Sequence, residues 1–338
     1  MTRLRAFAQP IGAAAVALAA SAALLALIGA DPLEAFRALV SGALGDAIAL
    51  ENTIVRMGPL LLVGLGVAIA FRCGIWNIGG EGQLYVGALA ATALVTRGPG
   101  LGSGAVALPL VLLVGAGAGA LWAGIAAALR VRRGVSEVLS TILLNFVAVL
   151  AVAWAVHGPL QEASGAYPQS DALPELARLA ILPGLRRVHA GLVLAVVLPF
   201  AVWLLIFRSS AGLRLRSVGL SPDAARYAGV SPERETTRVL LISGALAGLA
   251  GALEICGVTG RLFENLASGY GFTAVAVALL ARLSPLGVLP AAFFFAALAT
   301  GSGAMQRVAA VPSVAVQVIE ALVILFSVGF AMPKSRTS

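Results

Sequence analysis

Lysine is almost missing from this chain. Of its 23 basic residues, 22 are arginine, and the single lysine, Lys334, lies near the C-terminus with no glycine loop before it. A phosphate-cradling nucleotide loop needs a lysine directly after glycine, so this chain does not bind ATP by that device. Histidine and cysteine are nearly as scarce, at two each. Cys73 and Cys256 both sit in apolar context and read as small core residues, which excludes a disulfide framework and a metal site of the usual spacing. No HExxH, GxSxG or CxxC pattern is present. Charge of either sign is also thin, at 11% of residues. Ordinary globular domains carry roughly 25%, so a soluble core is excluded as well.

What fills the chain instead is apolar: hydrophobic residues make up 60% and the mean hydropathy is +0.98. Uncharged runs predict membrane spans near 11–30, 55–71, 74–96, 106–129, 137–157, 189–207, 239–258, 266–281, 285–305 and 312–331. The expected class is therefore an all-α polytopic membrane protein of eight to ten spans, forming one domain over 1–338. The 266–281 segment is short and glycine-flanked, and reads either as a span or as a re-entrant piece. With the N-terminus inside, 15 basic residues fall on the cytoplasmic side and 8 outside, as the positive-inside bias expects. The net charge of +8 is then a sidedness signal and not a nucleic-acid footprint. Ten spans also return the tail of Lys334 and Arg336 to the inside. The first span follows Arg3 and Arg5; at about 20 residues it exceeds a signal-peptide core and reads as a retained anchor. Outside lie 31–54, opening at Asp31-Pro32, and the proline-rich 158–188, a loop long enough to touch a docking partner. Gly115 and Gly119 in one span, and Gly244 and Gly248 in another, have the spacing that lets helices approach closely.

One stretch looks soluble. Between the uncharged runs Val188–Phe207 and Val239–Leu253, residues 208–238 carry six arginines and three acids. Ser221-Pro222-Asp223 has the form of a helix start, with Ser221 as N-cap. A compact, capped, charged segment at 209–236 suits a membrane subunit that a cytoplasmic motor must grip. Its expected contact residues are Arg216, Pro222, Ala225, Arg226, Tyr227 and Gly229, with Ala225 and Tyr227 entering a groove on the motor.

Polar groups at membrane depth are expensive and tend to face a cavity or a partner. Trp76-Asn77-Ile78-Gly79-Gly80-Glu81-Gly82-Gln83 has three glycines in four positions, which weakens any helix. A broken span there would expose backbone groups to a solute; the alternative is a turn in which Glu81 answers Arg72. Glu137, Ser140, Thr141 and Asn145 fall on one helix face. Glu137 also has the option of pairing with Arg133, and Asn145 that of an interhelical hydrogen bond. A third cluster runs from Glu254 through Arg261, Phe263, Glu264, Asn265, Tyr270, Gly271 and Phe272. Its rings suit an interfacial belt or stacking on a flat solute. Gln317 and Glu320 lie in the last span, where Glu320 has Arg307 and Arg282 as candidate partners. His157 and His189 sit at span ends and read as interfacial.

Four stretches carry a family resemblance. Phe71-Arg72-Cys73-Gly74-Ile75-Trp76-Asn77-Ile78-Gly79-Gly80-Glu81-Gly82-Gln83 resembles the FRxGxxNIGxEGQ signature of permeases in the branched-chain amino acid, ribose and nucleoside group of ABC importers. Ser136–Phe146 resembles the NEVxSTxxLNY stretch of the nucleoside-type branch. Arg216–Gly219 with Ala224–Val230 is similar to that group's coupling-helix segment, and Gly269–Leu280 to its GYGFTAIAVALL run. Trp76, Gly80 and Ser136 depart from the usual Phe, Ala and Asn.

The resemblance implies a transport subunit and not an enzyme, with no cofactor and no metal of its own. It further implies an ABC ATPase, commonly with two fused nucleotide-binding domains, gripping the coupling helix. A second, different permease would complete the path, and a periplasmic or lipid-anchored binding protein would deliver the solute at the bacterial inner membrane. The expected path residues are Trp76, Asn77, Glu81, Gln83, Glu137, Thr141, Asn145, Glu254 and Phe272. Their amides and rings suit a flat neutral solute over an amino acid but serve a sugar nearly as well. It is chiefly the resemblance that implies a nucleoside or nucleobase, purine type favoured. A pentose or branched-chain amino acid permease is the nearest alternative, and an ion-coupled carrier working through Glu137, Glu254 and Glu320 a more distant one.

Overall fold

The computed structural model describes residues 16, 19–98, 104–267 and 269–331, with only isolated bridges (Gln169 with Phe263, Ile181 with His189) in place of strands among them. Arg3, Arg5, the start of the 11–30 span, the Glu320 side chain, Lys334 and Arg336 lie outside the described residues. Helix α1 (Pro32–Leu44) opens at Asp31, whose carboxylate accepts from the Leu33 N–H at 2.8 Å. Helix α2 (Ala47–Arg72) is capped in the same way by Asp46, through the Ala49 N–H at 2.7 Å. The expected outer segment 31–54 is thus one helix and the first turns of the next. Capping acids, not hydropathy, set both starts.

Helices α3 (Gly80–Arg97), α4 (Gly104–Arg133) and α5 (Glu137–Val156) follow, and the 158–188 loop contains one short turn at Glu175–Ala177. Beyond it come α6 (Gly191–Arg208), α7 (Ser210–Leu220), α8 (Pro222–Tyr227) and α9 (Pro232–Glu254), the last running into a π-helical turn at Ile255–Thr259. Helices α10 (Tyr270–Leu280), α11 (Pro285–Val308) and α12 (Ser313–Ala331) close the chain. Among the described residues six helices are long and apolar enough to cross a membrane: α2, α4, α5, α6, α9 with its π turn, and α11. Helix α10 has 11 residues. At 1.5 Å per residue it covers about half of a ~30 Å hydrocarbon core.

Helices α2 and α9 form the centre. In their most apolar windows 83% and 78% of residues are buried, against 22% for α4, which leaves α4 a lipid-facing role. Close approach of α9 to its neighbours depends on glycine. A Cβ on Gly119 would meet Gly248 Cα at 2.7 Å, and one on Gly115 would meet Gly248 O at 3.3 Å. The two glycine pairs singled out in the sequence thus face each other across α4 and α9. Gly251 extends the seam toward α3, where a Cβ would meet the Ala88 nitrogen at 2.9 Å.

Candidate functional site

Helix α2 ends at Arg72, Gly74 takes a φ of +77°, and residues 74–79 run without helix before α3. The break expected at 76–83 is shifted toward the N-terminus: residues 73–79 are non-helical, whereas Gly80–Gln83 open α3, and the polar groups here are spent on holding the stretch. Asn77 Nδ2 donates to Ser243 Oγ on α9 at 2.8 Å and to Gln83 Oε1 at 3.0 Å, while Asn77 Oδ1 accepts from Gln83 Nε2 at 2.9 Å. Asn145 clamps the segment from α5: its Oδ1 accepts from the Gly82 N–H at 2.8 Å and its Nδ2 donates to Ile78 O at 2.9 Å. Thr141 Oγ1 accepts from the Ile78 N–H at 3.3 Å, and Glu137 Oε1 from the Trp76 N–H at 3.4 Å. Where the sequence placed a solute between the broken span and α5, the structure places hydrogen bonds. Asn77, Gln83, Thr141 and Asn145 are buried together, and Trp76 is half-exposed with its ring 4.5 Å from Phe71.

Two expected pairings are corrected. Glu137 pairs with Arg130, at 3.3 Å, and not with Arg133, because Arg130 lies on the α4 face turned toward α5. Glu81 does not answer Arg72. Its carboxylate accepts from the Gly269 N–H at 2.9 Å and the Gly271 N–H at 2.5 Å, capping the start of the half-helix α10. Unsatisfied N–H groups at a helix start are natural carboxylate partners. Arg72 instead donates to Leu283 O at 2.6 Å, bracing a turn in which Arg282 and Leu283 both take positive φ. Phe272 is half-exposed on α10. His189, expected at an interface, is 3% exposed with its Nδ1 unpartnered, and its ring lies against Gly257 of the π turn. His157 remains exposed, 3.3 Å from Glu264.

The charged segment forms as its sequence dictates. Ser221 Oγ accepts from the Ala224 N–H at 3.3 Å to cap α8, Pro222 occupies its first turn, and Gly229 ends it with a φ of +80°. Arg226 pairs with Glu233 at 2.6 Å, and Arg216 lies over the Phe207 ring at 5.4 Å. One expectation fails: Ala225 is 2% exposed and belongs to the same buried apolar cluster as Val218 and Leu240, so its methyl group is turned into the protein. The groups turned outward are Tyr227, 95% exposed, and Leu220, 88% exposed.

At the opposite end, beside the 158–188 loop, α2, α9, α10 and α11 enclose a cavity of about 630 Å³. Arg56, Arg187, Glu254, Tyr270, Thr300 and Arg307 stand on its wall, and a second space of about 300 Å³ adjoins it along Arg56 and Tyr270. Of the path residues expected from sequence, only Glu254 lines this cavity. In the sequence Arg187 reads only as a charge outside and Arg307 as a candidate partner of Glu320, because nothing local brings either to α9. Arg56 alone gave a usable signal, as an arginine two residues into an expected apolar span.

Residues 49–328 match the family model described as the permease component of the branched-chain amino acid transport system. Among curated relatives, a glucose ABC transporter permease of Haloferax volcanii is 38% identical over 95% of this chain and 87% of its own length. A guanosine ABC transporter permease of Bacillus subtilis is 36% identical over 94% of this chain and 91% of its own, and a nucleoside ABC transporter permease of Lactococcus lactis 29% identical over 93% and 90%. A chain with a broken span clamped from two helices, a half-helix capped by Glu81, and an ABC permease match across 280 of its 338 residues belongs to the branched-chain amino acid transport system permease family.

Proposed function

We propose that this chain forms one half of the translocation path of an ATP-driven importer for a nucleoside, at the bacterial inner membrane with both termini cytoplasmic. The observation that carries the reading is the separation of two features at opposite ends of one helical bundle. A polar cavity opens beside the 158–188 loop, and a capped, outward-turned handle lies at the far end. ATP hydrolysis belongs to a separate ATPase, two fused nucleotide-binding domains, that grips residues 209–236 through Tyr227 and Leu220 (with Arg216, Pro222, Arg226 and Gly229 shaping the segment). A second, different permease supplies the other half of the path. A periplasmic or lipid-anchored protein delivers solute to the cavity mouth. About ten spans complete the fold, with the 11–30 run, α3, α10 and α12 joining the six long apolar helices.

In this reading Glu254 meets the solute first. Asn77, Gln83, Thr141 and Asn145 hold the broken span in shape below it, with Glu81 and Glu137 anchoring its two ends and Trp76 and Phe272 at its borders. The guanosine and nucleoside permeases among the relatives support a nucleoside. The glucose permease, the most identical of the three, supports a sugar as the second reading. Uptake of labelled guanosine by cells carrying the complete transporter separates them: competition by inosine or adenosine supports the nucleoside, and competition by glucose or ribose without either overturns it.

A further inference from the structure

The cavity wall is built with groups left over. Glu254 is 6% exposed, yet among the described residues no hydrogen bond or ion pair engages its carboxylate. Thr300 Oγ1, on the same wall, is buried and has no partner. Arg56 is the charged neighbour of both Glu254 and Tyr270, but spends one donor on Ala299 O at 2.9 Å and makes no contact-distance ion pair with Glu254. A buried carboxylate is costly unless bonded, and groups of this kind in folded proteins call for an explanation. The wall therefore holds an acceptor-only group and a donor-only fork facing one space of about 630 Å³, within the usual range for a small-molecule site.

We infer that this cavity reads the base edge of a 6-oxopurine nucleoside, with Glu254 accepting from N1–H and the Arg56 guanidinium donating to O6 and N7. The inference rests on the nucleoside reading above and narrows it. An arginine fork matches the O6 and N7 acceptors of a 6-oxopurine. A carboxylate accepts and does not donate, which suits N1–H and, in guanine, the 2-amino group as well. Adenine inverts both positions: its bare N1 would face the carboxylate and its 6-amino group the guanidinium, donor against donor. Tyr270 offers the ring face, and Arg307 remains for ribose hydroxyls. A site whose polar groups are left unpaired by the wrong ligand discriminates strongly.

The test uses the complete transporter in lipid discs without its binding protein, so that the permease alone is read. Thermal stabilisation by about 10 mM inosine, adenosine, glucose or ribose reports occupancy, because a ligand bound only to the folded state raises its stability. Inosine is expected to bind at least about tenfold more tightly than adenosine. Glu254→Gln should weaken inosine about tenfold and close the gap, since an amide presents a donor as well as an acceptor. Arg56→Lys, which keeps the charge and loses the fork, provides a second variant should the first fail to assemble, and should also weaken inosine. Equal binding of inosine and adenosine, unchanged binding in both variants, or no stabilisation by inosine overturns the base-edge assignment while guanosine uptake by cells still upholds the nucleoside reading. Stabilisation by glucose or ribose alone, with guanosine uptake absent, overturns both.

Discussion

Asn145 shows what a single buried amide does here. Its two hydrogen bonds tie the Gly82 N–H and the Ile78 carbonyl, both in or next to a stretch with no helical partner of its own. Leaving such backbone groups unsatisfied costs about 1–3 kcal/mol each. Asn145→Ala is therefore expected to lower uptake roughly ten- to hundredfold with a matching loss of thermal stability, and normal uptake in a stable variant would detach the clamp from function. His189 supplies a pH dependence. Burial pushes its imidazole down to about 4 from an ordinary 6.5, so the folded protein keeps it neutral while the unfolded chain protonates it first. Its contribution is fully present above about pH 6.5 and is lost as pH falls toward 4. Glu162 and Glu233 are held below the usual carboxylate range, chiefly by the Ser164 hydroxyl and by a backbone N–H respectively, so their contributions are present above that range and are lost as pH falls through and below it. A fall in melting temperature between pH 7 and 5 should shrink in His189→Gln, and an unchanged fall would place the titrating group elsewhere.

Among the elements, the seam between α4 and α9 sets how tightly the bundle closes. Gly248 faces both Gly115 and Gly119, whereas Gly117, on the opposite side of α4, has nothing within 4 Å of an added Cβ. Gly248→Val should force the helices apart and reduce folded protein in the membrane severalfold, while Gly117→Ala should leave it unchanged. Equal yields from the two would mean that the seam tolerates separation. This seam was legible in the sequence, because four-residue spacing maps directly onto one helix face. So was α8, whose serine cap and first-turn proline are local signals. The partners of Glu81, Glu137 and Arg72 were not legible. Each bonds groups brought together by tertiary packing, and Glu81 reaches N–H groups 188 and 190 residues away. The cavity was hidden for the same reason: Arg56, Glu254 and Arg307 meet only when α2, α9 and α11 are assembled.

Across the whole molecule, the proposed ATPase contact at α8 and the cavity lie at opposite ends, and a chain of contacts leads from α8 into the bundle. Helix α7 leads directly into α8, and a Cβ on its Gly219 would overlap the Arg72 carbonyl oxygen. Phe207 is held between two guanidiniums, with Arg72 4.9 Å and Arg216 5.4 Å from its ring centre. Arg72 in turn begins the broken segment and braces the turn between α10 and α11 through Leu283 O. These contacts connect the segment that carries Tyr227 and Leu220 to the end of α2, the broken span and the half-helix capped by Glu81. Cation–π contacts of this kind contribute about 0.5–2 kcal/mol each, enough to shift coupling without dictating the fold. Phe207→Leu is expected to leave the complex assembled and its basal ATPase intact while lowering the stimulation produced by loaded binding protein severalfold. Tyr227→Ala should instead weaken ATPase association itself, which co-purification reads separately. Full stimulation in Phe207→Leu would show that the handle communicates by another path, through α9 and its π turn.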